Sequence, residues 1–201
     1  MIKTGLFSGS FNPVHNGHLA IAQSFISSGK IDELWVYPTP VSPFKTGKVR
    51  EELLPYKERL SLLTLAFDQL DHPKIDVKSV EKELSPPYYT VNTLRHLRKT
   101  NPDRAFYLCI GSDSANQFHR WHKYIEILKI AELLVAKRPD NDSEDSPAED
   151  VLEHTTFINH KPVDISSTKI RNWLKNKEYK KAKSAIPDSV FDELISRNVF
   201  G

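Results

Sequence analysis

Short apolar runs alternate with amphipathic stretches along this chain, and that alternation restricts its fold more than any other feature. "KTGLFS", "ELWVYP" at 33–38, "KIDVKSV", "AFYLCIG" at 105–111 and "ELLVAKRP" are short and rich in branched or aromatic residues, and so read as strands. "TTFIN" is a candidate sixth. Between them, 18–28 sets Leu19, Ala22, Phe25 and Ile26 at helical spacing, and 55–70 does the same with Leu60, Leu63, Ala66 and Phe67. Residues 90–99 and 125–130 also read as helices, with 168–175 and 188–196 closing the chain. Strands separated by helices predict βαβ units. The expected fold is α/β, a Rossmann-like, doubly wound, mainly parallel sheet with helices on both faces and right-handed crossovers. With 201 residues, one domain over 1–201 is expected, its C-terminal helical portion starting near 166.

The junction between the first strand and the first helix reads "GSFNPVHNGHLA". Carboxyl ends of strands are where open α/β sheets bind ligands. Pro13 stiffens the turn and restricts Asn12, and Gly9 and Gly17 lack a Cβ, which leaves room for a ligand. A helix starting near Gly17 offers unpaired N–H groups and a positive dipole end, an arrangement suited to phosphate. His15 and His18, three residues apart, face the same way on such a first turn and could both donate to one phosphate. The pair could instead be packed structural side chains. It could also join His119 and His122 of "FHRWH" in a zinc site, but the chain has one cysteine and no HExxH helix.

Composition bounds the partners. Hydrophobic residues make up 39%, enough for a core. The net charge of +2 and the scattered lysines argue against nucleic acid, and no apolar run approaches membrane-spanning length. Cys109 stands alone, so no intrachain disulfide forms, and the start of the chain lacks the apolar core of a signal peptide. A cytoplasmic location is expected. The acidic stretch at 140–150 reads as a solvated loop, and the basic 175–183 as a solvated helix face.

At these residues the chain resembles the nucleotidylyltransferase superfamily. "GSFNPVHNGH" is similar to its HxGH signature, and "ISSTKIR" at 165–171 to its second signature. Three more stretches resemble the nicotinate-nucleotide adenylyltransferases: "YYTVNTLRHL" at 88–97, "IGSDSANQFHRWHKYIEIL" at 110–128 and "LVAKRPD" at 134–140. Ser8, Asn12, Phe44 and Asp140 depart from residues common in that family.

The resemblance implies adenylyl transfer from ATP to nicotinate mononucleotide, giving deamido-NAD and pyrophosphate, with Mg²⁺ accompanying ATP. It implies His15 and His18 as catalytic residues. ATP would be bound by Ser10, Phe11, Lys45, Gly111, Ser166, Ser167, Thr168 and Arg171, and the acceptor by Thr90, Asp113, Trp121 and Arg138. Rival readings on the same scaffold take nicotinamide mononucleotide or phosphopantetheine, or transfer a cytidylyl group. A non-catalytic nucleotide-binding module would be expected to carry a damaged signature, and both signatures are intact.

Overall fold

In a computed structural model, residues 1–41, 52–137 and 147–200 are described. Six strands, all parallel, form one sheet among them: β1 Ile2–Gly9, β2 Glu33–Pro38, β3 Ile75–Val77, β4 Arg104–Gly111, β5 Ala131–Lys137 and β6 Thr155–Asn159. Their spatial order is β3-β2-β1-β4-β5-β6. The chain winds outward from β1 through β2 to β3, then returns to lay β4 on the other side of β1. The β1/β4 boundary is therefore the topological switch point, and the crevice at its carboxyl end is the expected ligand position.

The helices are α1 Asn16–Ser27, α2 Tyr56–Leu70, α3 Thr90–Thr100, α4 Ser112–Asn116, α5 Tyr124–Leu128, α6 Glu149–Glu153, α7 Ser167–Lys175, α8 Tyr179–Ala185 and α9 Asp188–Ser196. Strand periodicity sorts them onto two faces. Phe7, Leu34, Val36, Cys109, Leu134 and Ala136 point to one side, where they join buried residues of α1, α2 and α7 to α9. Their alternates Leu6, Tyr37, Leu108, Leu133 and Val135 point to the other, against α3 to α6. Every second residue of a strand buried on both faces is apolar on each side, which is why these runs read as continuous.

Two details differ from the sequence reading. The third strand is only Ile75–Val77, because it lies at the sheet edge and pairs with Leu34–Val36 alone; a 3₁₀ turn follows at Val80–Glu83. The acidic stretch ends in α6, where Glu149 and Asp150 sit in the first turn, favoured by the helix dipole, and Val151 is buried. The basic stretch does form a solvated helix face: in Tyr179–Ala185 the lysines face outward while Ala182 and Ala185 are buried. No helix of the described residues is long and apolar enough to cross a membrane.

Cys109, on central strand β4, is 1% exposed, and burial pushes its thiol far above the ordinary range. Only a thiolate reacts readily. The native chain is therefore expected to resist a chromogenic disulfide reagent at pH 8 and to react stoichiometrically once unfolded in guanidinium. Fast native labelling, timed by absorbance, would contradict this packing.

Candidate functional site

After β1 the chain turns through Ser10, Phe11, Asn12 and Pro13 into α1. Phe11 has φ 45°, a left-handed conformation that bulky side chains rarely adopt. Its ring meets Phe7 edge-on at 5.6 Å and His18 at 4.9 Å between centroids, and this packing holds the turn. A Cβ on Gly9 would lie 3.1 Å from the Phe11 ring, and one on Gly17 3.1 Å from the His15 ring. The space those glycines leave is thus taken by the site's own side chains.

His15 is the N-cap of α1 and His18 its third residue. His18 Nδ1 accepts from the His15 backbone N–H at 3.2 Å, much as a glutamate does in a capping box. With Nδ1 an acceptor, the neutral ring carries its proton on Nε2, which makes that edge a donor. The two imidazoles stack at 3.7 Å with planes 22° apart. His15 is buried, and burial pulls its pKa from 6.5 to about 4. It is neutral at pH 7, and its Nδ1 has no hydrogen-bond partner among the described residues.

The start of α7 comes up against this turn. Ser166 caps the helix, its Oγ accepting from Lys169 N–H at 3.2 Å. Ser167 Oγ donates to the Pro13 carbonyl at 2.9 Å, across 154 residues of sequence. Arg171 is buried; its Nη1 donates to the Asn12 carbonyl at 2.9 Å and its Nη2 to Thr168 Oγ1 at 3.4 Å. Glu52 lies 3.4 Å from Arg171 Nη2 and 2.9 Å from Lys175 Nζ, and Lys175 above all keeps its carboxyl below the usual range. Asn12 grips the same segment: its amide donates to the Glu52 carbonyl and its oxygen accepts from Leu54 N–H, both at 2.9 Å. An aspartate could not make both bonds.

A cavity of about 280 Å³ opens beside the turn, at the carboxyl ends of β1 and β4. Ser10, Thr90, Gly111 and Trp121, all expected from sequence, lie on its wall. So do Tyr88, Tyr89, Thr39 and His122, which sequence reasoning did not place there. Tyr89 and His122 stack at 4.2 Å, and Tyr88 and Trp121 add further aromatic rings to the lining. Asp113 is exposed on α4, and Ser114 rather than Asp113 reaches the wall. Lys45 and Arg138 fall outside the described residues. His119 and His122 do not gather with His15 and His18, and no group of three metal-ligating side chains occurs among the described residues.

A second buried polar group lies where the 3₁₀ turn meets α3. Glu81 is 3% exposed and accepts from Thr93 Oγ1 at 2.8 Å, while its other oxygen has no partner among the described residues. Burial pushes its pKa up to about 7. Neither Glu81 nor the buried Arg59 of α2 was singled out from sequence. For Arg59 a signal existed: it lies one turn before Leu62 and Leu63, on the helix's apolar stripe.

The cytidylyltransferase-like family model matches residues 6–173. A relative from Flavobacterium psychrophilum is 35% identical, the match spanning 99% of this chain and 99% of its own. One from Bacteroides thetaiotaomicron is 40% identical over 88% of this chain and 84% of its own. Both bear the name probable nicotinate-nucleotide adenylyltransferase. The chain belongs to the nicotinate-nucleotide adenylyltransferase family. A family structure, Plasmodium falciparum nicotinic acid mononucleotide adenylyltransferase complexed with NaAD, shares this fold: TM-score 0.77, 20% identity, 100% of this chain and 98% of that one. The same enzyme complexed with APC gives a TM-score of 0.78 at 19% identity, with 100% and 98% covered. The resemblance read from five motifs thus extends over 99% of the chain in the Flavobacterium psychrophilum match.

His15 and Glu81 tilt stability in opposite directions over one pH window. Below pH 6.5 an unfolded His15 takes up a proton that the folded chain refuses until about pH 4, so stability falls as pH falls. Above pH 4.5 an unfolded Glu81 loses a proton that the folded chain keeps until about pH 7, so stability falls as pH rises. Urea unfolding between pH 4.5 and 6.5 is expected to show the Glu81 slope in His15→Gln and the His15 slope in Glu81→Gln. Equal slopes in the two variants would refute this opposition of His15 and Glu81.

Proposed function

We propose that this chain transfers the adenylyl group of ATP to nicotinate mononucleotide, releasing pyrophosphate and forming deamido-NAD. The observation that carries this reading is the direct contact of the HxGH turn with the start of α7, beside an aromatic-walled cavity at the switch point. Family membership at 35–40% identity supports it.

The mononucleotide's phosphate oxygen is already anionic near neutral pH, so attack on the α-phosphorus needs no strong general base. The protein's task is alignment and charge stabilisation as pyrophosphate leaves in line. In this reading the N-terminus of α1 and the Nε2–H edge of His18 face the triphosphate. His15 is neutral in the free site; a bound polyanion raises its pKa and favours a charged donor there. Ser10 and the Phe11 backbone line the near side, with Gly111 across the switch point. Ser166, Ser167, Thr168 and Arg171 supply the far side, Arg171 exchanging the Glu52 carboxylate for phosphate oxygens. Lys45 would reach the outer phosphates. Thr90, Trp121 and Arg138 are assigned to the acceptor, Trp121 stacking on its pyridinium ring as a cation–π partner. Asp113 is assigned to the acceptor's ribose edge. Mg²⁺ would enter on the triphosphate, held by phosphate oxygens and water as is usual for this hard ion, and would neutralise charge on the leaving pyrophosphate.

Pyrophosphate release, measured with ATP and each of nicotinate mononucleotide, nicotinamide mononucleotide and phosphopantetheine, tests the assignment. Fastest turnover is expected with nicotinate mononucleotide; preference for phosphopantetheine would overturn it. His18→Ala is expected to keep the fold and lower kcat by about 10²-fold or more, the usual loss for a preorganised donor. Trp121→Ala is expected to raise KM for the mononucleotide well above any change for ATP, and equal effects on both substrates would remove it from the acceptor pocket.

A further inference from the structure

Arg59, on α2, is fully buried, and four of its N–H groups are engaged. Nε donates to the Leu54 carbonyl at 2.9 Å, and Nη1 to those of Ser10 and Thr39 at 2.8 Å each. Nη2 donates to the Pro40 carbonyl at 2.8 Å. All four acceptors are backbone carbonyls, from three separate segments: the turn after β1, the exit of β2 and the approach to α2. Two of those residues, Ser10 and Thr39, stand on the cavity wall. Burial lowers the guanidinium pKa to about 10, so the group stays a full cation at neutral pH.

A buried cation without a carboxylate among these partners is costly unless its dipoles are well aimed. Here they are carbonyl oxygens, and their orientation has a consequence. The Ser10–Phe11 peptide is trans and planar, so drawing the Ser10 oxygen toward Arg59 turns the Phe11 N–H away from it. Phe11 itself is held at φ 45°, a conformation that a bulky residue leaves readily if its restraints go.

We infer that Arg59 is a positioning residue for the nucleotide: by gathering these carbonyls it fixes the Ser10–Phe11 peptide with its N–H presented to the triphosphate. It also places a positive charge, with no carboxylate among these hydrogen-bond partners, behind that cradle, where it favours a polyanion. The inference rests on the adenylyl-transfer reading for the identity of the polyanion. The fork geometry is what a lysine cannot reproduce, since one ammonium on a flexible stem does not span three segments.

The test is Arg59→Lys, with its fold checked by circular dichroism and its melting temperature recorded. ATP affinity is then measured by calorimetry without acceptor, and kcat and KM for each substrate at least 15 °C below the melt, a margin of roughly the shift a few kcal/mol produces. ATP affinity is expected to fall about tenfold and KM for ATP to rise in parallel, with KM for the mononucleotide within about twofold, tenfold being roughly the loss of one good hydrogen bond. A folded variant with unchanged ATP affinity overturns the inference, whatever its melting temperature. Wild-type protein that binds ATP but transfers to no acceptor defeats the proposed function alone. A second measurement needs no variant at position 59. In [¹⁵N]Phe-labelled wild type, the Phe11 amide, assigned by its absence in Phe11→Leu, is expected to shift more on ATP addition than the other phenylalanine amides. An unmoved Phe11 amide also overturns the inference.

Discussion

Two hydrogen bonds make one site out of two distant segments: Ser167 Oγ to the Pro13 carbonyl and Arg171 Nη1 to the Asn12 carbonyl. Each spends a side-chain donor on a backbone acceptor that the turn after β1 would otherwise leave exposed. Because the acceptors are main-chain atoms, the contact depends on the conformation of residues 12 and 13 rather than on their side chains. The unusual backbone of the preceding residue, Phe11, therefore matters to α7 as well as to α1. A ring buried between Phe7 and His18 keeps that backbone in place. The sheet beneath supplies the rigidity, since β1 is central and paired on both sides.

The sequence announced the fold through period-2 burial on both faces of long central strands, a signal strong enough to survive without context. Edges were harder. β3 has three residues because one neighbour supports it, and no local pattern reports how many neighbours a strand will have. α6 was concealed by Glu149 and Asp150, which look like loop residues until the helix dipole is considered. At the site, short motifs marked the turn and the helix start that come together, because glycine, serine, proline and histidine in that order after a strand leave few alternatives. The cavity wall told less. Tyr89 and His122 come from segments over thirty residues apart and meet by stacking, which spacing does not encode. Nor did the motif disclose that Gly17 makes room for His15.

In the proposed function the two side chains set nearest the triphosphate, His15 and Arg171, carry little uncompensated charge before it binds. His15 holds no proton at pH 7, and Arg171 faces Glu52. Neither choice wastes stability on like-charge repulsion between stacked imidazoles or on an unpaired buried guanidinium. Both are reversible: a polyanion favours protonation of His15, and its phosphate oxygens offer Arg171 better acceptors than a carboxylate 3.4 Å away. Two buried nitrogens, His15 Nδ1 and Arg171 Nε, have no partner among the described residues. Leaving a buried polar atom unmade costs roughly 1–3 kcal/mol. Carrying two in one locality fits a surface built to be completed by a ligand.

Arg59 differs from these groups in kind. In the proposed function His15 and Arg171 change partners when a nucleotide binds, whereas Arg59 already has four N–H groups held by carbonyls and no route to solvent. A residue so placed contributes by keeping others from moving. The division has a physical logic. Donors assigned to rearrange are unpartnered or paired weakly, so their release is inexpensive. The element that must not rearrange is held by a planar cation whose removal would strand four carbonyls at once. Preorganisation of the main chain around Ser10 thus comes from a helix residue 49 positions later in the chain, which is why no motif at the turn itself records it.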